Sequence, residues 1–122
     1  LADRRGPVMQ RLTKRAEFVA VAGGTKVSLP GFSLQARRRA RGASEEARFG
    51  FTVTKKIGNA VVRNRIRRRL REVVRLSGEA APPLDFVLVG RRAALTLPFE
   101  RLAADLRSGF MTLSKRQVAD AR

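Results

Sequence analysis

Lys55-Lys56-Ile57-Gly58-Asn59-Ala60-Val61-Val62-Arg63-Asn64-Arg65-Ile66-Arg67-Arg68-Arg69-Leu70-Arg71-Glu72 is the stretch whose reading decides the fold. Two lysines close an expected strand, and a Gly-Asn pair turns the chain. A helix is then predicted from about Ala60 to Leu76, with Asn59 as N-cap and Gly78 in the C-terminal stop. At about 100° per residue, Val62, Ile66, Leu70 and Val73 stack along one stripe, flanked by Val74 and Leu76. Arg67, Arg71, Arg75, Arg68 and Arg65 fill most of the opposite arc, with Asn64 among them. Arg63 and Arg69 fall on the borders, where a long stem can cover apolar surface while the guanidinium reaches water. Most surface charge runs are solvated faces, but those mix signs and gain from i,i+4 pairs. Here Glu72 is the only acid between Lys55 and Arg75, so the cations repel one another unless a polyanion neutralises them.

Working outward, composition points the same way. The net charge of +17 over 122 residues is extreme for one domain. Lysine occurs only at positions 14, 26, 55, 56 and 115, which leaves 22 arginines among the 27 basic residues. Arginine favours bidentate phosphate contacts and stacking on bases, although a GC-rich genome also raises its frequency. The chain has no cysteine and no histidine, which removes disulfides, cysteine–zinc sites, the commonest general base and the usual triads. No apolar run reaches the roughly 18 residues of a membrane span. The basic start Arg4-Arg5 is not followed by the apolar segment of a secretory signal, so the expected location is cytoplasmic. The numbering begins at Leu1 rather than Met, which fits a trimmed or alternative start.

The elements around the basic helix follow from spacing. Residues 1–10 read as a loose arm and 115–122 as a frayed tail. Helical spacing over Arg11 to Ala22 (Leu12, Ala16, Val19 and Phe18) predicts a first helix, with Thr13 as a possible N-cap, stopped by Gly23-Gly24. Phe18 reads as a core anchor by spacing alone. A strand is expected from about Gly31 to Arg39, with room for a short earlier piece after Lys26. Gly42 to Glu46 reads as a hairpin loop, followed by an alternating strand over Arg48–Lys55 antiparallel to its predecessor. Leu84 to Val89 is a short buried strand. Phe99, Leu102, Ala103, Leu106, Phe110 and Leu113 then mark a final amphipathic helix that begins near Pro98. The order describes one α+β domain over residues 1–122, with an ordered core of about 11–113.

No catalytic residue is expected in the protein itself. The ten acids are scattered, and Glu45-Glu46 and Glu72 do not form a pair at metal-ligand or acid–base spacing. No Gly-x-x-x-x-Gly-Lys-Ser/Thr follows a strand, and the serines have no histidine to activate them. The Gly58-Asn59 turn is different. Helix-start N–H groups beside Lys55, Lys56 and Arg63 suit a phosphate, while the plain alternative is a turn with a cap.

The stretch Phe51-Thr52-Val53-Thr54-Lys55-Lys56-Ile57-Gly58-Asn59-Ala60-Val61-Val62-Arg63-Asn64-Arg65 closely resembles the signature of the bacterial ribonuclease P protein subunit. That family carries a Lys-Lys-x-Gly-Asn-Ala-Val approach to an Arg-Asn-Arg helix. The resemblance extends through Arg11-Leu12-x-Lys14-x-x-Glu17-Phe18, Phe32-x-Leu34 and Asp85-Phe86-Val87, and so covers about residues 11 to 113.

The resemblance implies a fold and a function. The fold would be an α-β sandwich, a four-stranded mixed sheet packed with three helices. A left-handed β-α-β crossover would pass through the Arg-Asn-Arg helix, where general handedness rules favour a right-handed one for parallel strands. The function would be that of the protein subunit of a ribonucleoprotein whose RNA removes the 5′ leader of precursor tRNA with Mg2+. By position, Lys55, Lys56, Asn59, Arg63, Asn64, Arg65, Arg67, Arg68 and Arg71 would contact the catalytic RNA. The leader would lie between the first helix and the sheet. There Phe18 and Phe32 would stack on bases, with Arg11, Lys14, Arg15, Lys26 and Arg37 at the edges. This moves Phe18 from core towards cleft and leaves both readings open. Relatives often carry a second aromatic one turn after Phe18, where this chain has Ala22, so either stacking there would be weaker or the cleft would use Val21 and the sheet side chains instead. The expected partners are the catalytic RNA and precursor tRNA, with no membrane and no small-molecule substrate. Two alternatives remain: a non-catalytic RNA assembly protein, either ribosomal or chaperone-like, and a protein nuclease.

Overall fold

A strand buried on both faces reads as a near-continuous apolar run; Asp85–Gly90 is such a strand, buried at every position but Val89, and it lies at the centre of the sheet. The computed structural model describes residues 10–11, 15, 24–38 and 46–115. The strands are β1 (Gln10–Arg11), β2 (Thr25–Ser28), β3 (Phe32–Arg37), β4 (Arg48–Thr52) and β5 (Asp85–Gly90). They form a mixed sheet in the order β1-β4-β5-β3-β2. Its body is the expected four strands, and the two-residue β1 extends it at the β4 edge. β4 runs parallel to β5 and to β1, while β3 is antiparallel to both β5 and β2. Two long helices are described, α1 (Ala60–Ser77) and α2 (Phe99–Lys115). The expected first helix lies outside the described residues except for Arg15, which is helical and exposed.

Three expectations are corrected. β3 and β4 are not a hairpin: they run in opposite senses, but β5 lies between them and pairs with both. Local alternation identified each strand, but it carries no information on which strands pair, and β5 takes the central place, its two edges paired with β3 and β4. Gln10 and Arg11 are not the junction of a loose arm and a helix, because they pair with Arg48 and Phe49. Finally, β4 ends at Thr52, and Lys55–Ile57 forms one 3-10 turn rather than the end of a strand.

The register sorts side chains between two faces. Phe32, Leu34 and Ala36 lie opposite Gly90, Leu88 and Phe86, and Phe86 in turn lies opposite Phe49. All of these apolar side chains are buried, together with Ile66, Leu70, Val73 and Val74 of α1 and Leu102, Leu106, Phe110 and Leu113 of α2. This is one core between the sheet and the helices. Phe49 stacks on Phe86 at 5.1 Å between centroids, and Phe110 meets Phe86 edge-on at 5.2 Å. Gly90 lets α1 approach β5, since a Cβ there would stand 2.6 Å from Ile66 Cγ2. The opposite face carries Lys26, Ser33, Gln35, Arg37, Arg48 and Asp85 by alternation.

Candidate RNA-binding surface

α1 is held by the stripe that the spacing predicted, with one exception. Ile66, Leu70, Val73 and Val74 are buried and Val62 is half-buried, but Leu76 is 54% exposed. It stands in the last turn, on the flank of the stripe away from Leu70 and Val74. The N-terminus is capped as expected, with Val62 N–H donating to Asn59 Oδ1 at 3.0 Å. No acid occupies the first turn, so the positive end of the helix dipole is uncompensated within α1.

The approach to that end is tight. Ile57 N–H donates to Thr54 O at 3.1 Å and closes the 3-10 turn that exposes Lys55 and Lys56. Gly58 follows in an extended conformation, where a Cβ would lie 3.0 Å from Val62 Cγ1. The glycine therefore serves close packing of the approach on the helix. The two lysines, Asn59 and the first turn of α1 consequently come together at one corner of the molecule.

Along the outer arc, Asn64, Arg65, Arg68 and Arg71 are exposed and Arg67 is half-buried; Arg67 donates to Asn64 Oδ1 at 2.7 Å, so these two side chains support each other on the surface. Arg71 lies over the Phe51 ring, 5.9 Å from its centroid. Arg75 forks onto Glu72 at 2.8 and 2.6 Å. That hydrogen bond holds the Glu72 carboxyl below its ordinary value. The single acid of α1 is thereby engaged within its own helix turn.

The border arginines behave differently from expectation. Arg63 donates from Nε to Gly58 O at 3.1 Å, and Arg69 donates to Leu95 O and Leu97 O at 2.9 and 2.8 Å. Both reach backbone carbonyls rather than water alone. Arg92, unremarked in the sequence, donates to Ile57 O at 2.6 Å and so joins the approach turn. Sequence spacing offers no signal for a contact across 35 residues. Arg48 and Asp85 were also missed: Arg48 forks onto the buried Asp85 carboxylate at 2.8 and 2.6 Å across adjacent strands. An acid inside an apolar strand was the available signal, since a buried carboxylate needs a partner.

The residues assigned to the leader divide. Lys26 is exposed and Arg37 half-buried, on the sheet face away from the helices. Arg15 is exposed, and Arg11 lies in β1. Lys14 and Phe18 fall outside the described residues. Phe32 is corrected: it is fully buried in the core under the helices, so its ring has no free face for a base. Its position in β3 points it to the helix side, opposite Lys26 and Arg37. Among the described residues no three acidic, histidine or cysteine side chains gather as a metal-binding group, and no helix is long and apolar enough to cross a membrane.

Comparison with known proteins bears on this surface. Residues 7–114 match the family model described as Ribonuclease P. The chain is 51% identical over 124 residues to the ribonuclease P protein component of Gluconacetobacter diazotrophicus, covering 99% of each chain. The Brucella suis protein of the same name is 43% identical over 120 residues, covering 92% of this chain and 85% of that protein. Among solved structures, the Staphylococcus aureus RNase P protein superposes with a TM-score of 0.68 at 25% identity, covering 86% of this chain and 94% of that one.

Proposed function

The chain belongs to the ribonuclease P protein family, and on that premise we propose that it binds the catalytic RNA subunit and the 5′ leader of precursor tRNA. In doing so it assists Mg2+-dependent endonucleolytic removal of the leader, which gives the mature tRNA 5′ end. The observation that carries this reading is the outer arc of α1. Seven arginines stand on that helix against one glutamate, and the glutamate is occupied by Arg75. An RNA backbone supplies the missing anions, and forked guanidinium groups suit phosphate oxygens.

In this reading the RNA subunit with its Mg2+ supplies the hydrolytic chemistry, and the protein's side chains bind and orient. Lys55, Lys56, Asn59, Arg63, Asn64, Arg65, Arg67, Arg68 and Arg71 form the RNA-facing surface, with Arg63 steadying the turn as well as adding charge. The leader meets Lys26 and Arg37 on the sheet face away from the helices; Arg11, Lys14, Arg15 and Phe18 are the other residues assigned to it. The two surfaces lie on different parts of the fold, which lets one protein touch catalyst and substrate at once. The cytoplasm is the expected site of action.

The test is cleavage of precursor tRNA by the cognate RNA subunit at low Mg2+, with and without this protein. The protein should restore cleavage that the RNA alone loses, should not cleave by itself, and should tighten binding of precursor more than of mature tRNA. Equal tightening of both tRNAs would remove the leader role. The burial of Phe32 favours the alternative, an RNA assembly protein without a leader cleft, on one point. Under that alternative Phe18→Ala leaves function intact.

A further inference from the structure

Arg69 stands within the basic helix but faces the protein. Its two terminal nitrogens hold Leu95 O and Leu97 O at 2.9 and 2.8 Å. The segment it grips is a single 3-10 turn, Arg92–Leu95, that runs on to Pro98 just before α2. Its own backbone bonds run from Ala94 N–H to Arg91 O and from Thr96 and Leu97 N–H to Ala93 O, and the two charge-assisted bonds from one rigid fork add a direct tie to α1. At the other end of this segment, Arg92 holds Ile57 O at 2.6 Å. Arg92 Nη1 also lies beside Gly58, where a Cβ would stand 3.4 Å away in ordinary contact, and Arg63 Nε donates to Gly58 O at 3.1 Å. The contacts thus form a closed path from α1 through residues 92–97 to the Lys55–Ile57 turn, and back through Gly58 to α1.

We propose that Arg69 is a positioning residue for the RNA-facing surface: it clasps residues 92–97 against α1 so that Arg92 braces the Lys55–Ile57 turn and fixes Lys55 and Lys56 for the catalytic RNA. This rests on the proposed function. A lysine at 69 keeps the charge but lacks the planar fork that reaches two carbonyls at once.

The experiment is a double-mutant cycle on affinity of the full chain for the catalytic RNA, using Arg69→Gln, Arg92→Ala and the pair, with Arg69→Lys alongside. Each single change should weaken binding about tenfold, and the pair should also lose about tenfold rather than about a hundredfold. Arg69→Lys should fail to restore affinity. Amide exchange at Ile57, whose N–H closes the turn, should quicken in the Arg69 and Arg92 variants alike. Multiplying losses in the pair, or full rescue by lysine, would make Arg69 a plain cationic contact and overturn the proposal. So would wild-type affinity in the Arg69 variants. If both Arg69 variants lose the folded state, Arg92→Ala decides alone, because it leaves the Arg69 clasp intact: unchanged Ile57 protection there refutes the brace. Arg65→Ala is the control. If it too binds like wild type, the RNA-facing reading of α1 fails, which is a separate result.

Discussion

α1 and α2 are near twins by construction and opposites on their outer faces. They span 18 and 17 residues, and each buries an aliphatic stripe in the same core. On α2 the outer charges mix: Glu100 opens the helix, Arg101 pairs with Asp105 one turn on at 3.2 Å, and Lys115 closes it. That is how a solvated helix manages its surface. On α1 seven arginines meet one glutamate, and the arc from Arg65 to Arg71 has no acid within it. The fold needs both stripes alike, so the difference between the outer faces is not a requirement of folding. On the proposed function, it marks where the RNA is met.

The largest expected effects test the likeness. Leu70 and Leu106 are both fully buried, and Leu70→Ala or Leu106→Ala should each cost about 2–5 kcal/mol in urea unfolding. A small loss at Leu70 alone would mean that α1 is not anchored as α2 is. The next effect tests the difference. Arg65→Ala and Arg68→Ala should each weaken assembly with the catalytic RNA by about 1–2 kcal/mol, while Arg101→Ala leaves it unchanged. Equal losses on the two helices would erase the contrast.

Asn59→Ala removes the cap on Val62 and should lower stability by about 1 kcal/mol, measurable as a lower thermal midpoint. The smallest effect has the opposite sign for binding. Glu72→Gln frees Arg75 and should strengthen RNA affinity slightly, in a low-salt titration. The Glu72 carboxyl is lowered from 4.5 by its hydrogen bond with Arg75. Its contribution to stability is therefore present above that unfolded value and is lost as pH falls through the lower folded one. Both groups are exposed, so the contribution is small, and an acid titration of wild type against Glu72→Gln should barely separate them.

What the sequence made legible depended on distance along the chain. The stripe of α1, its Asn59 cap and the face of α2 rest on neighbours three or four residues apart, and spacing found them. Strand pairing does not: nothing local in β3 or β4 tells that β5, drawn from the far side of α1, will part them. The same holds for Arg69 and Arg92, which reach carbonyls 26 to 35 residues away. Their charge was visible, but their targets were not. Phe32 failed for another reason. A motif position names a residue, while the face it occupies is set by register, and register turned this ring into the core. Leu76 erred at the flank of the stripe: the buried face of α1 is centred towards Leu70 and Val74, which turns Leu76 out of the core.

The most direct test of the central claim, that α1 and its approach form the RNA-facing surface, is a salt titration of affinity for the catalytic RNA. If about six phosphates are neutralised, log K against log[salt] should fall with a slope of roughly −4 to −5. The Arg65→Ala, Arg68→Ala double variant should be shallower by about 0.7–0.9 for each phosphate it no longer neutralises, while an Arg101→Ala, Arg107→Ala double variant on α2 should keep the wild-type slope. A slope unchanged by the α1 pair, or flattened as much by the α2 pair, would contradict the account.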